Sequence, residues 1–163
     1  MSDDARFADV RATAVRPIRL RAESAEDLAV VSSLMQDAVG KAGDITWLRK
    51  KRRLVIVANR FRWENGVESD GKAKPLERVQ SALAIEGVLA VRARGLDPNR
   101  RETPYELLAL LFEPGEDCGG TLRLTMAGGP EIAVEVECLE LSLTDLSDPW
   151  PARARRAPQH PTE

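Results

Sequence analysis

Residues 121–138 read TLRLTMAGGPEIAVEVEC and form the clearest hairpin pattern in the chain. Residues 121–127 and 132–138 each alternate apolar and polar side chains, as strands do when one face is buried and the other meets water. The two glycines and the proline between them supply a turn. The pattern predicts an antiparallel hairpin with Glu135 and Glu137 on its solvent face.

Further strands are predicted on both sides of this hairpin. Apolar or alternating runs toward the N-terminus favour strands at residues 17–21, 45–48, 54–63 and 105–112. Residues 79–94 contain two apolar phases, which predict one long strand bent by a bulge near Gly87. After Cys138 the alternation changes phase, so residues 139–146 are compatible with a continued strand or with a short helix.

One helix is predicted at residues 25–39. Ser24 has the side chain of an N-cap, and Asp27 places a negative charge in the first turn. Apolar side chains then recur at helical spacing as far as residue 38. Gly40 and Gly43 follow as the expected C-cap and turn.

About seven antiparallel strands and one helix predict an α+β fold, a β meander that forms a bent sheet or a small barrel. A split-barrel or pleckstrin-homology-like arrangement is compatible with this order. We expect one folded domain over residues 16–151, with Trp150 packed on it to pin the chain end. Residues 1–15 and the basic, proline-containing residues 152–163 are predicted to be disordered tails.

Composition suits one water-soluble domain. Of the 163 residues, 43% are apolar, which is enough for a core. No apolar run approaches the roughly 20 residues that span a bilayer, and acids stand where a signal peptide has bases. We therefore expect a cytoplasmic protein without membrane contact. In that compartment Cys118 and Cys138 are expected to be free thiols, with Cys138 a small core residue.

Positive and negative charge are sorted along the chain. Residues 41–101 contain 15 Lys and Arg against 7 Asp and Glu, whereas residues 102–150 contain 11 Asp and Glu against the single Arg123. The formal net charge of −2 hides this sorting. Because summed fields steer partners, the sorting predicts a protein with a basic surface and an opposite acidic surface.

A run of five cations at residues 49–53 is the strongest exposed feature. It cannot be buried between two apolar strands, so it marks a hairpin tip or a wide turn. Basic residues with interleaved aromatics suit phosphate contact and base stacking, although the aromatic fraction of 4% is low. Alternatively, the cations face acids of later strands as ordinary cross-strand pairs. The candidate binding set is Arg49, Lys50, Lys51, Arg52, Arg53, Arg60, Arg62, Trp47 and Trp63.

Catalytic signatures are sparse. The only histidine, His160, lies in the C-terminal tail, which argues against a histidine base, a triad or a histidine-ligated metal in the domain. Residues 115–120 lack the Lys-Ser/Thr of a phosphate-binding loop. Carboxylate catalysis by Glu113 or by the glutamates at 135, 137 and 140 would need two acids that converge in a cleft. We predict no catalytic residue, no metal site and no cofactor.

Short motifs carry a family resemblance. They are DITW at residues 44–47, NRFRWE at 59–64, RGLD at 94–97, LALLFEPG at 108–115, GGTLRL at 119–124, VEC at 136–138 and DPWP at 148–151. In this order they resemble a family of small single-domain proteins of unknown function from alphaproteobacteria. The resemblance implies a bacterial, cytoplasmic, stand-alone domain and implies no activity, cofactor or catalytic residue.

The leading functional hypothesis is a non-enzymatic protein-interaction or assembly module that binds a partner protein or a second copy of itself. The alternative is binding of nucleic acid or an anionic ligand through the basic residues 49–53. A further hypothesis is that the protein binds a small ligand in the mouth of a barrel. The identity of the partner and the oligomeric state stay open at this point.

Overall fold

An antiparallel sheet of eleven strands and one helix make up the computed structural model, which describes residues 17–65 and 76–152. The helix, α1, spans Ala25–Met35. The strands are β1 (Arg19–Ala22), β2 (Val39–Lys41), β3 (Ile45–Leu48), β4 (Arg53–Phe61), β5 (Glu77–Ile85), β6 (Val88–Arg94), β7 (Pro104–Pro114), β8 (Gly120–Met126), β9 (Glu131–Val136), β10 (Leu141–Asp145) and β11 (Trp150–Pro151). The predicted α+β class is confirmed.

The strand order along the sheet is β1-β10-β5-β4-β2-β7-β8-β9-β6, with β3 added to β4 and β11 added to β5. The sheet is open, and it bends so that its two halves enclose one core. Buried side chains of β4 and β5 pack in the same cluster as those of β8 and β9. Helix α1 covers the core next to β1, β4 and β7 with Leu28, Val31 and Met35. A pleckstrin-homology-like arrangement stays a prediction.

The hairpin at residues 121–138 is confirmed as β8 and β9, which pair Gly120 with Val136 and Leu124 with Ile132. The strands predicted at residues 17–21, 45–48, 54–63 and 105–112 correspond to β1, β3, β4 and β7. Residues 139–146, left open by the sequence, contain strand β10. Trp150 pairs with β5 as part of β11, so it does pin this end of the chain.

The sequence prediction is wrong about residues 79–94. They form β5 and β6, which pair with different strands, rather than one bent strand. Gly87 has a φ of +63°, a left-handed conformation that only glycine adopts without strain, and it turns the chain from one half of the sheet to the other. This split and the short strands β2, β10 and β11 raise the count from about seven to eleven.

Helix α1 begins as predicted but ends four residues earlier. The Asp27 N–H donates to the Ser24 hydroxyl (3.2 Å), which confirms the N-cap. The helix ends at Met35 because Asp37 adopts a left-handed φ of 65° and Val39 enters β2. The glycine predicted as its C-cap, Gly40, lies instead inside β2.

Residues 1–15 lie outside the described residues, as do residues 153–163 of the predicted C-terminal tail. Ala152, the first residue of that tail, is buried, and its N–H donates to the Leu76 carbonyl (3.1 Å). The folded part therefore includes Ala152. The domain limits 16–151 otherwise stay a prediction.

The expectation of two free thiols is wrong, because Cys118 and Cys138 form a disulfide. The reason is the register of the β8–β9 hairpin. Gly120 faces Val136, so continuing the register by two residues on each strand places Cys118 opposite Cys138, with their Cα atoms 4.7 Å apart. The bond ties the loop before β8 to the chain just after β9.

The disulfide closes a segment with a sequence separation of 20, so we expect it to stabilise the fold by about 3 kcal/mol through loop closure. The double variant Cys118→Ser/Cys138→Ser should lose that amount in urea unfolding. Wild type treated with a dithiol reductant should fall to the same stability, and the variant should not respond to the reductant. A wild type that is insensitive to reductant would contradict the prediction.

Gly40 lies against the ring of Tyr105, and a Cβ added there would sit 2.5 Å from the Tyr105 hydroxyl oxygen. That hydroxyl donates to the Val57 carbonyl (3.2 Å), so the ring is fixed. Gly40→Ala should therefore destabilise the protein by about 1–3 kcal/mol in thermal or urea unfolding. The matched control is Gly115→Ala, where the nearest atom is 3.5 Å away and little change is expected. Equal effects of the two substitutions would contradict the close packing at Gly40.

Candidate binding cleft

An apolar cleft of about 570 Å³ lies between β3 and β6. Its floor is one face of β6 and β9, to which Val91, Ala93 and Ile132 contribute side chains. Val91 and Ala93 are two residues apart and therefore point to the same side of β6. The facing wall consists of residues 45–47. Because these three residues are consecutive, it is the edge of β3 that lines the cleft.

Hydrogen bonds join the two sides of the cleft at each end, but β3 and β6 do not pair with each other between these ends. At one end the Val88 N–H donates to the Arg52 carbonyl (2.9 Å), and at the other the Gly43 N–H donates to the Arg101 carbonyl (2.8 Å). Within residues 17–65 and 76–152, β3 pairs only with β4, and β6 pairs only with β9. Each of these strands therefore has one edge without a strand partner beside the cleft.

Trp47 packs partly against the core and lines the cleft. Its Nε1 is buried and has no hydrogen-bond partner among the described residues. An unpaired buried donor of this kind costs about 1–3 kcal/mol. The Arg49 guanidinium lies 4.4 Å from the centre of the Trp47 ring, a cation–π contact. The ring is thus held by packing and by Arg49.

The basic run forms the tip of the β3–β4 hairpin, as predicted from the sequence. Two of its five cations are paired: Arg52 binds Glu137, and Arg53 binds Glu86 at 2.6 Å. The other three, at residues 49–51, are exposed and form no ion pair with any residue that the structure describes. The run therefore keeps three of its five charges for contact with solvent or a partner.

Arg60 does not belong to this surface, which corrects the candidate set. It continues the inward face of β4 after Leu54, Ile56 and Ala58, and its side chain is 0% exposed. Its guanidinium donates to both carboxylate oxygens of Asp145 (3.0 and 2.9 Å). Further bonds reach the Ser81 hydroxyl, the Phe61 carbonyl and the Glu64 carboxylate. Arg60 is a buried structural cation.

The remaining candidates lie at the far end of β4. Arg62 is 11% exposed and binds Glu77 at 2.9 Å. Trp63 is 40% exposed, donates its Nε1–H to the Gln36 carbonyl (3.1 Å) and contacts the Phe61 ring. Trp47 pairs with Leu54 near the start of β4, whereas Trp63 follows the end of that strand. Roughly 20–25 Å of strand therefore separates the two tryptophans. They do not form a common stacking surface.

Several cations of the basic segment form ion pairs with acids of the acidic segment. Strand pairing brings the basic segment 41–101 against the acidic segment 102–150. The ion pairs that join the two segments are Lys41–Glu102, Arg52–Glu137, Arg60–Asp145, Arg92–Glu135 and Arg94–Glu131. The surface is therefore less asymmetric in charge than the sequence predicts.

The acids of the carboxylate hypothesis are all held in ion pairs. Glu113, Glu135, Glu137 and Glu140 each bind a different arginine. Glu137 and Glu140 line one open hollow, but Arg52 and Arg21 neutralise them there, whereas catalytic carboxylates need separated pKa values in a cleft that receives substrate. In the described part of the chain, no group of three or more His, Cys, Asp or Glu side chains is placed to hold a metal ion.

Most residues of the cleft were not singled out from the sequence; of the predicted set only Trp47 lines it. The alternation VRAR at residues 91–94 does show that Val91 and Ala93 share a face. What the sequence does not show is that this face is uncovered, because that depends on the distance between two strands more than 40 residues apart.

Residues 18–160 match the family described as "Protein of unknown function (DUF2948)". The chain belongs to the DUF2948 family. No curated protein and no solved structure matches the chain. The family resemblance inferred from the short motifs is confirmed, whereas an alphaproteobacterial origin stays a prediction. None of the helices described for this DUF2948 protein is both long enough and apolar enough to cross a membrane.

Asp145 provides a test of the buried network. Burial alone would raise the pKa of its carboxyl, but hydrogen bonds from Arg60, Ser81 and the Ile18 N–H, with the charge of Arg60, hold the pKa below its ordinary 3.8. A depressed pKa means that the carboxylate stabilises the fold above the unfolded-state pKa, and that this stabilisation is lost as the pH falls through the folded-state value.

Asp145→Asn should therefore reduce the free energy of unfolding by about 3 kcal/mol near neutral pH, because it removes the more buried of the two carboxylates that bind the Arg60 guanidinium. The difference from wild type should shrink as the pH falls below 3.8, which urea unfolding at a series of pH values measures. Asp148→Asn, at an exposed position, is the matched control and should have little effect. A difference that is independent of pH would contradict the assignment.

Proposed function

We propose that this DUF2948 protein is a non-enzymatic protein-interaction module whose cleft receives an extended segment of a partner protein. The observation that carries the proposal is the pair of strand edges, on β3 and β6, that flank an apolar cleft without pairing to another described strand. An extended peptide can pair with such an edge through its backbone while alternate side chains enter the pocket beside it.

The dimensions fit a short segment. Strand β3 has 4 residues and β6 has 7, so a peptide of similar length pairs along either edge. A cleft of about 570 Å³ holds a few side chains, and its apolar floor favours aliphatic or aromatic ones. The arginines of β6, Arg92 and Arg94, bind glutamates of β9 and so do not shield the free edge with unpaired charge.

The alternative, binding of nucleic acid or an anionic ligand at the hairpin tip, is supported by the unpaired cations at residues 49–51. It is weakened by the geometry of the aromatics. One face of Trp47 already carries Arg49, and Trp63 lies at the other end of β4. A bacterial setting belongs to the same proposal, as does assembly with a second copy of the chain, whereas the Cys118–Cys138 disulfide favours an oxidising compartment over the expected cytoplasm.

The proposal is tested by filling the cleft. Ala93 is exposed and lines the cleft, so Ala93→Phe places a ring where the partner segment is expected. The matched control is Ala29→Phe, which adds the same ring at an exposed position of α1. Proteins captured from a lysate of the source cells by wild type and by Ala29→Phe, with nuclease present, should be lost with Ala93→Phe.

The captured partner is then purified and added back in a hydrogen-exchange experiment. Strand addition should slow exchange of backbone amides in β3 and β6, because an edge amide gains a hydrogen-bond acceptor. Partners that Ala93→Phe retains as well as wild type would overturn the proposal. A parallel capture without nuclease is the comparison: binding that appears only there, with protection centred on residues 49–53, would instead support the polyanion alternative.

A further inference from the structure

Resting on the proposed function, we infer that the partner segment is acidic: it places an apolar side chain in the cleft and a carboxylate on the guanidinium of Arg101, while the cations of the hairpin tip attract it electrostatically. The inference rests on the charges that the fold leaves unpaired around this cleft. The inference specifies the partner segment further: besides an apolar side chain for the cleft, the segment needs an acidic side chain.

Arg101 is the cation that lines the cleft itself. Its Nη2 donates only a long hydrogen bond to the Gly43 carbonyl (3.4 Å), and it forms no ion pair with the described residues. Its backbone carbonyl accepts from the Gly43 N–H, so the base of the side chain is fixed while the guanidinium is not. A guanidinium in this state presents a fork of N–H groups that matches a carboxylate.

Arg49 supplies a second unpaired guanidinium next to the cleft. It lies on the ring of Trp47, which lines the cleft. Stacking on an indole uses the flat face of the guanidinium and leaves its N–H groups, which lie in the plane, free for an acceptor. Its neighbours Lys50 and Lys51 add positive charge on the same turn. A segment that runs along β3 toward the hairpin tip therefore approaches net positive charge.

Two of the three acids near the cleft are already engaged. Asp97 faces Arg100 at 3.9 Å and accepts from the Asn99 N–H at 2.9 Å. Glu102 binds Lys41 at 2.8 Å. Asp44 lies on the turn before β3, does not line the cleft and forms no ion pair with a described residue. Because only Asp44 of these three acids is unpaired, a basic segment would compete mainly for acids that have partners, whereas an acidic segment meets cations that have none.

Random peptides of the length of β6, 7 residues, displayed on phage, provide the probe. The library is selected on wild type and on Ala93→Phe, Arg101→Gln and Arg49→Gln. The matched control is Arg19→Gln, an exposed arginine on β1 at the opposite end of the strand order. Glutamine removes the charge at position 101 and keeps a polar side chain there. Each variant is first shown to unfold at the wild-type temperature.

We expect wild type and Arg19→Gln to enrich peptides with Asp or Glu beside an apolar residue. Arg101→Gln should lose the acidic preference, Arg49→Gln should weaken it, and Ala93→Phe should enrich none of these peptides. Replacing the acid of the best peptide by its amide should weaken binding to wild type by about tenfold in fluorescence anisotropy, and should change little with Arg101→Gln.

Peptides that need an open cleft but carry no acid would overturn this inference and leave the proposed function standing. Acidic peptides that bind Ala93→Phe as well as wild type would place the acid on the hairpin tip rather than at the cleft, and would also overturn it. A library without any peptide sensitive to Ala93→Phe would overturn both the inference and the proposed function.

Discussion

The buried contact between Arg60 and Asp145 is the constraint on which the rest of the structure depends. A guanidinium that is 0% exposed must find an acceptor for its N–H groups, and the acceptors come from separate parts of the chain. Asp145 ends β10, Ser81 lies on β5, and Glu64 follows β4. The same carboxylate also accepts from the Ile18 N–H just before β1 (2.8 Å). One ion pair therefore fixes how four segments meet in one half of the sheet.

The other half of the sheet is fixed differently, and the cleft results from that difference. The β8–β9 hairpin and the disulfide between Cys118 and Cys138 hold it through local pairing. It joins the first half through β2, which has 3 residues, and through hydrogen bonds at Arg52 and Gly43. Because these contacts tie only the ends of β3 and β6, the sheet bends around its core without closing into a barrel.

Local patterns predicted most elements of this fold, and long-range geometry decided what the patterns could not. The alternation of β8 and β9 and the Ser24 cap were readable because their evidence lies within a few residues. The disulfide was also readable, since the hairpin register places Cys118 opposite Cys138, but the expected compartment argued against it. Arg60 shares the parity of Ile56 and Ala58, so its inward position was visible as well. The cleft was not, because it depends on how two distant edges are spaced.

The arginines show why charge along a sequence is a weak guide to a charged surface. Arg52 and Arg53 stand in one basic run with Arg49, yet their partners, Glu137 and Glu86, come from turns that only the fold brings close. Arg101 lies outside that run and keeps its charge, because the nearby Glu102 binds Lys41. What a partner meets is the charge that remains after strand pairing. Around this cleft the unpaired charge is positive, and it lies beside an apolar floor. The two features together select a partner more narrowly than either feature alone.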